Sequence, residues 1–161
     1  FELDEEDIAE MLINNSDEPY AAQIAKAIAK MQAGGVPIAT TTQLKYIIAN
    51  ALSFLPPQEK QEAVKKSCQR TFQALRIDIN SEYEVLYQFL EKLPGVLKSG
   101  GRAAILTFHS GEDRLVKRSF KEFKRAGIYS EIAEDVIRPS KEECAQNSRA
   151  RSTKMRWAVK A

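Results

Sequence analysis

The stretch Gly100 to Lys117, GGRAAILTFHSGEDRLVK, constrains this chain more than any other. Two glycines make a turn, Arg102 to Phe108 is an apolar run of strand length, and Glu112 to Arg125 takes up helical periodicity. A strand that feeds directly into a helix is the repeating unit of α/β folds, so an α/β architecture is expected. The only histidine, His109, stands at the junction beside Ser110, Glu112, Asp113 and Arg114. In open α/β sheets ligands bind outside the carboxyl ends of strands, which makes this cluster the first candidate site.

His109 and Ser110 invite comparison with a base and a nucleophile. Neighbours on an extended strand point to opposite faces, however, so a histidine that shapes a pocket or bonds the following helix is the better reading. Ser110 reads as the N-cap of that helix, with Asp113 three residues on completing a capping box. Glu112 and Asp113 also suit the positive end of the helix dipole.

Upstream, the pattern is helical. Leu3 to Asn14 opens with acids and spaces Ile8, Met11 and Leu12 on one face. Ser16 or Asp17 is expected to cap a second helix with Glu18 and Pro19 in its first turn and a stripe of Tyr20, Ile24, Ala27, Ile28 and Met31. Thr40 to Thr42 precede a third helix, Gln43 to Leu52, and Gln58 to Arg76 forms a fourth. A fifth, Glu82 to Leu93, is expected to turn Val85, Leu86, Phe89 and Leu90 inward and to stop at Pro94-Gly95. After the central strand and helix, Ile128 to Ile137 reads as a strand, Ser140 caps a short turn, and Thr153 to Lys160 alternates as a last, edge strand.

The net charge is only +2, but it is unevenly placed. Phe1 to Pro56 has 3 basic and 8 acidic residues, whereas Arg102 to Ala161 has 14 and 8. Within the basic third, Asn147 to Arg156 reads NSRARSTKMR. Guanidinium forks mixed with hydroxyls and amides suit phosphate contacts, so this run beside an expected edge strand points to nucleic acid. No apolar run approaches the roughly 20 residues that span a bilayer, and Cys68 and Cys144 lack metal-ligand spacing. Reduced thiols and the lack of a secretory start point to the cytoplasm. There is no G-x-G turn after a strand, no P-loop and no nucleophile elbow, so no cofactor or metal site is expected within the chain itself. The initiating Met is missing, which suggests a fragment.

Three stretches together carry a resemblance. CQRTFQALRIDIN (Cys68 to Asn80), GGRAAILTFHSGEDRLVK and NSRARSTKMR resemble, in that order, the RsmH/MraW family of small-subunit rRNA cytosine-N4 methyltransferases. The resemblance implies a partial Rossmann-like methyltransferase domain over residues 68–161 and an all-α inserted, substrate-recognition domain over residues 1–67. It also implies transfer of a methyl group from S-adenosylmethionine to a decoding-centre cytosine of 16S rRNA, with the main cofactor-binding elements outside this chain. By the same template Arg70, Thr71, Gln73, Arg76 and Asn80 form a polar face of the cleft, while Phe72, Leu75 and Ile77 pack. His109, Ser110, Glu112, Asp113 and Arg114 would edge the catalytic cleft. Arg70, Gln73, Arg76, Asn80, Lys117, Arg149, Arg151, Lys154 and Arg156 would meet RNA; a homodimer is left open.

The chain departs from the family pattern at Thr107, usually Ser, at Gly111, usually Leu, and at Ser148, often Pro. Gly111 lowers helix propensity by about 1 kcal/mol. Two other readings compete: a cofactor-free RNA-binding or ribosome-assembly factor, and a small hydrolase using Ser110 and His109.

Overall fold

A computed structural model describes residues 3–161 and divides into two compact units, the first running to Asn80 and the second from Ser81 to Ala161. The first is all helical. Helix α1 (Glu5–Ser16) is capped by Asp4, whose carboxylate accepts the Asp7 amide at 2.8 Å, and has Glu5, Glu6 and Asp7 in its first turn. Helix α2 is Ala21–Ala33, α3 is Thr41–Ala51 and α4 is Pro57–Ile79. Ile8, Leu12, Ile24, Ile28, Leu44 and Ile48 meet in one core.

The α1–α2 junction differs from expectation. Ser16 is the last residue of α1, its hydroxyl donating to Leu12 O at 2.9 Å, and Asp17 breaks the helix in the left-handed region at φ 52. Neither residue caps α2, which starts at Ala21 without a side-chain cap. The Glu18 carboxylate instead accepts the Tyr20 amide at 3.0 Å and the Ser67 hydroxyl at 2.8 Å, tying the junction to α4. The Thr40 cap of α3 does form, as a capping box closed by Gln43.

Helix α4 passes unbroken through the division expected after Ser67. Its second half buries Thr71, Ala74 and Ile77, with Phe72 and Leu75 packed on the same core, so the first compact unit continues to Asn80. Thr71 is fully buried and therefore does not belong to an exposed polar face.

In the second unit, α5 (Glu82–Val96) precedes β1 (Arg102–Thr107), α6 (Ser110–Arg125) and β2 (Tyr129–Ile132). The short α7 (Lys141–Gln146), a 3₁₀ turn (Ser148–Ser152) and β3 (Lys154–Lys160) follow. The sheet order is β1-β3-β2, and both outer strands pair antiparallel to β3. Hence β1 and β2 run parallel, with α6 as the crossover between them, a partial α/β fold as expected. The β3 strand is central rather than an edge: Arg102 to Thr107 pair with Val159 to Lys154 on one side, and Tyr129 to Ile132 take the other. The expected strand through Ile137 is interrupted after Ile132 and returns only as a single bridge to Met155.

Leu90, Leu93, Val116, Phe120, Tyr129 and Ala158 form the second core, with Tyr129 set edge-on to Phe120 and Phe123. Helix α5 turns Leu86, Leu90 and Leu93 inward; Val85 and Phe89, expected inside, are exposed. The helix also runs through Pro94, which is buried in its last turn, and ends at Val96. The strand turn needs its glycines: Gly100 has φ 73, and a Cβ on Gly101 would stand 2.7 Å from Lys98 O.

Candidate functional site

The carboxyl end of β1 delivers the polar cluster. Phe108 leaves the strand, and His109, still extended at φ −143, is the N-cap of α6. Its Nδ1 accepts the Glu112 amide at 3.4 Å, while the Glu112 carboxylate reaches back to accept the Phe108 amide at 2.9 Å. The reciprocal cap expected of Ser110 is therefore made by His109 and Glu112; Ser110 is the first helical residue. Chain direction explains the difference, because the backbone is still extended at His109 and turns helical only after it.

This cap fixes the chemistry of the ring. With Nδ1 accepting a backbone hydrogen, the neutral imidazole carries its proton on Nε2. Nε2 lies 3.4 Å from Glu112 Oε1, out of line for a hydrogen bond, so the contact is electrostatic. Glu82, at the start of α5, brings a carboxylate to the same place: ligand atoms of Glu82, His109 and Glu112 all lie within 4.8 Å of one another. A cation there would need the Nε2 lone pair, which the capped tautomer does not offer, so the trio does not read as a metal site. The contact with His109 holds the Glu112 carboxyl below its ordinary pKa, with the Phe108 amide assisting against the effect of burial. A carboxylate so stabilised is a weak base, which gives it a positioning role.

One residue beyond, Asp113 forms a bidentate pair with Arg156 of β3, at 2.7 Å to Nε and 3.2 Å to Nη2. Burial pushes the Asp113 carboxyl up, but the Arg156 hydrogen bonds and charge, with Lys154 and Lys117 nearby, bring it below the ordinary value. Arg156 is 6% exposed. Expected to meet RNA phosphate, it is instead committed to locking α6 onto the sheet, and breaking such a pair leaves a buried charge at a cost of about 3–5 kcal/mol.

The remaining cations lie nearer the surface. Lys117 is exposed on α6, and Lys154 is half-buried at the start of β3, both close enough to Asp113 to act on its titration. Arg149 and Arg151 are exposed on the 3₁₀ turn, which Asn147 caps by accepting the Arg149 amide at 3.1 Å and which Ala150 anchors inward. Arg114 is exposed on the first turns of α6. In the first unit, Arg70 stands 3.9 Å from the buried Glu18, Gln73 donates to Asn15 O at 3.4 Å, Arg76 is exposed and Asn80 ends α4.

Gly111 carries a signal that residue patterns alone did not expose. A Cβ there would lie 1.8 Å from the Tyr83 hydroxyl, and the Tyr83 ring centroid is 6.1 Å from that of His109. Tyr83 from α5 thus occupies the space that a larger residue at position 111 would take. The departure from leucine at this position was the available clue.

Among the described residues, the amino end of α6 is the one place at this strand end where backbone amides could cradle a nucleoside cofactor. The Glu112 amide is already taken by His109, and the bare Cα of Gly111 is covered by Tyr83, so this turn does not fit such a group.

Residues 2–161 match the family model described as the MraW methylase family. The chain is 67% identical over 151 residues to "Ribosomal RNA small subunit methyltransferase H 1" of Lachnoclostridium phytofermentans, covering 94% of the chain and 41% of that protein. It is 62% identical over 159 residues to the protein of the same name from Agathobacter rectalis, covering 99% and 46%, and 42% identical to "Ribosomal RNA small subunit methyltransferase H" of Fervidobacterium nodosum over 96% and 49%. The chain spans about half the length of the curated relatives it matches.

Proposed function

The chain belongs to the MraW methylase family, and from that premise we propose that it serves a small-subunit rRNA methyltransferase that transfers a methyl group from S-adenosylmethionine to N4 of a 16S rRNA cytosine. The observation that supports this most is the set of cations around the β1 end. Lys117 and Lys154 lie near Asp113, whose carboxylate is already paired with Arg156, and Arg149 and Arg151 are exposed on the turn that leads into β3, so these cations can meet an external anion. Phosphate contacts of this kind fix register without reading sequence.

An exocyclic cytosine amine is a poor nucleophile, since its lone pair is delocalised into the ring. Methylation therefore depends on alignment, on an acceptor for the amine proton, and on release of the base from stacking. The contribution of this chain is alignment. His109 and Glu112 pin the strand-to-helix turn, Asp113 and Arg156 pin the helix to the sheet, and the free cations take the backbone. S-adenosylmethionine would be bound by segments of the longer relatives that this chain does not span. Residues 1–67 would then act as the substrate-recognition insertion and residues 68–161 as the methyltransferase part, with the compact helical unit extending structurally to Asn80.

The test uses a polypeptide of the relatives' length that contains this chain. Incubated with unmodified small ribosomal subunits and S-[methyl-³H]adenosylmethionine, it should label 16S rRNA, and nuclease digestion with mass spectrometry should identify N4-methylcytidine. The 161-residue chain alone should give no heat with S-adenosylmethionine in calorimetry but should bind rRNA. RNA binding without methyl transfer by the longer polypeptide would favour the cofactor-free binding factor instead.

A further inference from the structure

A second feature lies in the helical unit, lined by residues not so far considered for RNA. Between α3 and the first three turns of α4 runs an open groove of about 1040 Å³. Its floor is apolar, from Ala49, Pro57, Val64 and the half-buried thiol of Cys68. Its walls carry Lys45, Lys60 and Lys65, and the amides of Gln58, Gln61 and Gln69.

The charge balance is local. Residues 1–80 contain eight cations and eleven acids, yet the groove has three lysines against one glutamate. That glutamate, Glu62, is paired with Lys66 at 3.4 Å. Lys45 and Cys68 line the same groove, and the Lys45 charge opposes the upward push of burial on the thiol. Along α4, positions 58, 61, 65 and 69 recur at helical spacing, which places amides and ammonium groups in one row.

We propose that this groove between α3 and α4 is a second RNA-binding surface that takes a single-stranded segment of the substrate. The lysines engage successive phosphates, and the glutamine amides, each both donor and acceptor, meet ribose hydroxyls or base edges. The apolar floor accepts the faces of unstacked bases, while the absence of an aromatic platform from the lining keeps the contact tolerant of sequence. The inference rests on RNA being the substrate of this chain, and it assigns the helical unit a contact of its own.

The experiment is fluorescence anisotropy of a labelled single-stranded RNA from the 16S sequence, titrated with the 161-residue chain across a salt series. Cys144→Ser is introduced throughout so that iodoacetamide reports on Cys68 alone. For K45Q/K60Q/K65Q the salt slope should fall by about 2, at roughly 0.7 per phosphate contact, with affinity down about tenfold or more. Bound RNA should slow Cys68 alkylation in the parent and not in the triple variant. K45R/K60R/K65R should restore both readouts, and circular dichroism should show the same helical content in all three. Unchanged slope and unprotected Cys68, with the parent still binding, would overturn the groove and leave the function standing. If the parent binds no RNA at all, both readings fall. Loss of binding equally to an acidic peptide would identify a polyanion surface and overturn the RNA assignment.

Discussion

Gly111 and Tyr83 make one fitted pair. Because a Cβ at position 111 would overlap the Tyr83 hydroxyl at 1.8 Å, Gly111→Leu should destabilise the second unit by about 1–3 kcal/mol despite its better helix propensity. Tyr83→Ala in the same chain should recover most of that loss. Urea denaturation of the two single variants and the double variant measures the coupling, and additive effects would show that the two residues do not share the space. Titration offers a second residue-scale test. Glu112 and Asp113 both have carboxyls held below their ordinary values, so each adds stability that is complete above the unfolded pKa of about 4. That stability is lost as pH falls through the lower folded values. The urea midpoint should stay flat from pH 7 to about 5 and drop below about 4, and the E112Q/D113N variant should show a shallower drop. Glu112 and Asp113 were visible in the sequence as dipole partners of a helix. Their actual partners, the Phe108 amide, His109 and Arg156, depend on where the strand ends and which strand lies beside it.

At the scale of elements, α5 shows how far periodicity reaches. Val85, Leu86, Phe89 and Leu90 all fit an apolar arc, and the choice of inward face was made by which flank meets α6 and the sheet. Leu90→Ala should therefore cost about 2–5 kcal/mol, whereas Val85→Ala should stay within about 0.5 kcal/mol. Thermal denaturation followed at the single Trp157 separates the two, and a larger loss at Val85 would mean that the opposite face is the packed one. The same scale explains the junction at Ser16. Both Ser16 and Asp17 are good cap residues by type, but Asp17 closes α1 in the left-handed region, with its amide and that of Glu18 donating to Ile13 O and Leu12 O, and the Glu18 carboxylate goes to Ser67 of α4. Local propensity could not foresee it, since the partner lies 49 residues away.

For the whole molecule, charge is the property that sequence position already separates: the basic excess falls in the last 60 residues. Arg149→Gln with Arg151→Gln should weaken rRNA binding and reduce the salt slope by about 1.4 to 2, with stability unchanged because both side chains are exposed. Arg156→Gln should instead unsettle folding, because its guanidinium is bound to Asp113. A denaturation midpoint that separates these variants checks the distinction. The residue types, helical and strand periods, the strand-to-helix turn and the family were all legible from the chain, because local spacing and short motifs carry them. What only the tertiary structure decided is which polar residues are spent inside the fold and which remain for a ligand. Arg156, Thr71 and Glu18 are internal, Lys117 and Arg149 are exposed, and Lys45, Lys60 and Lys65 come to share one groove. Burial and pairing depend on neighbours distant in sequence, and the identity of a charged residue does not say whether its partner is another residue or a molecule from outside.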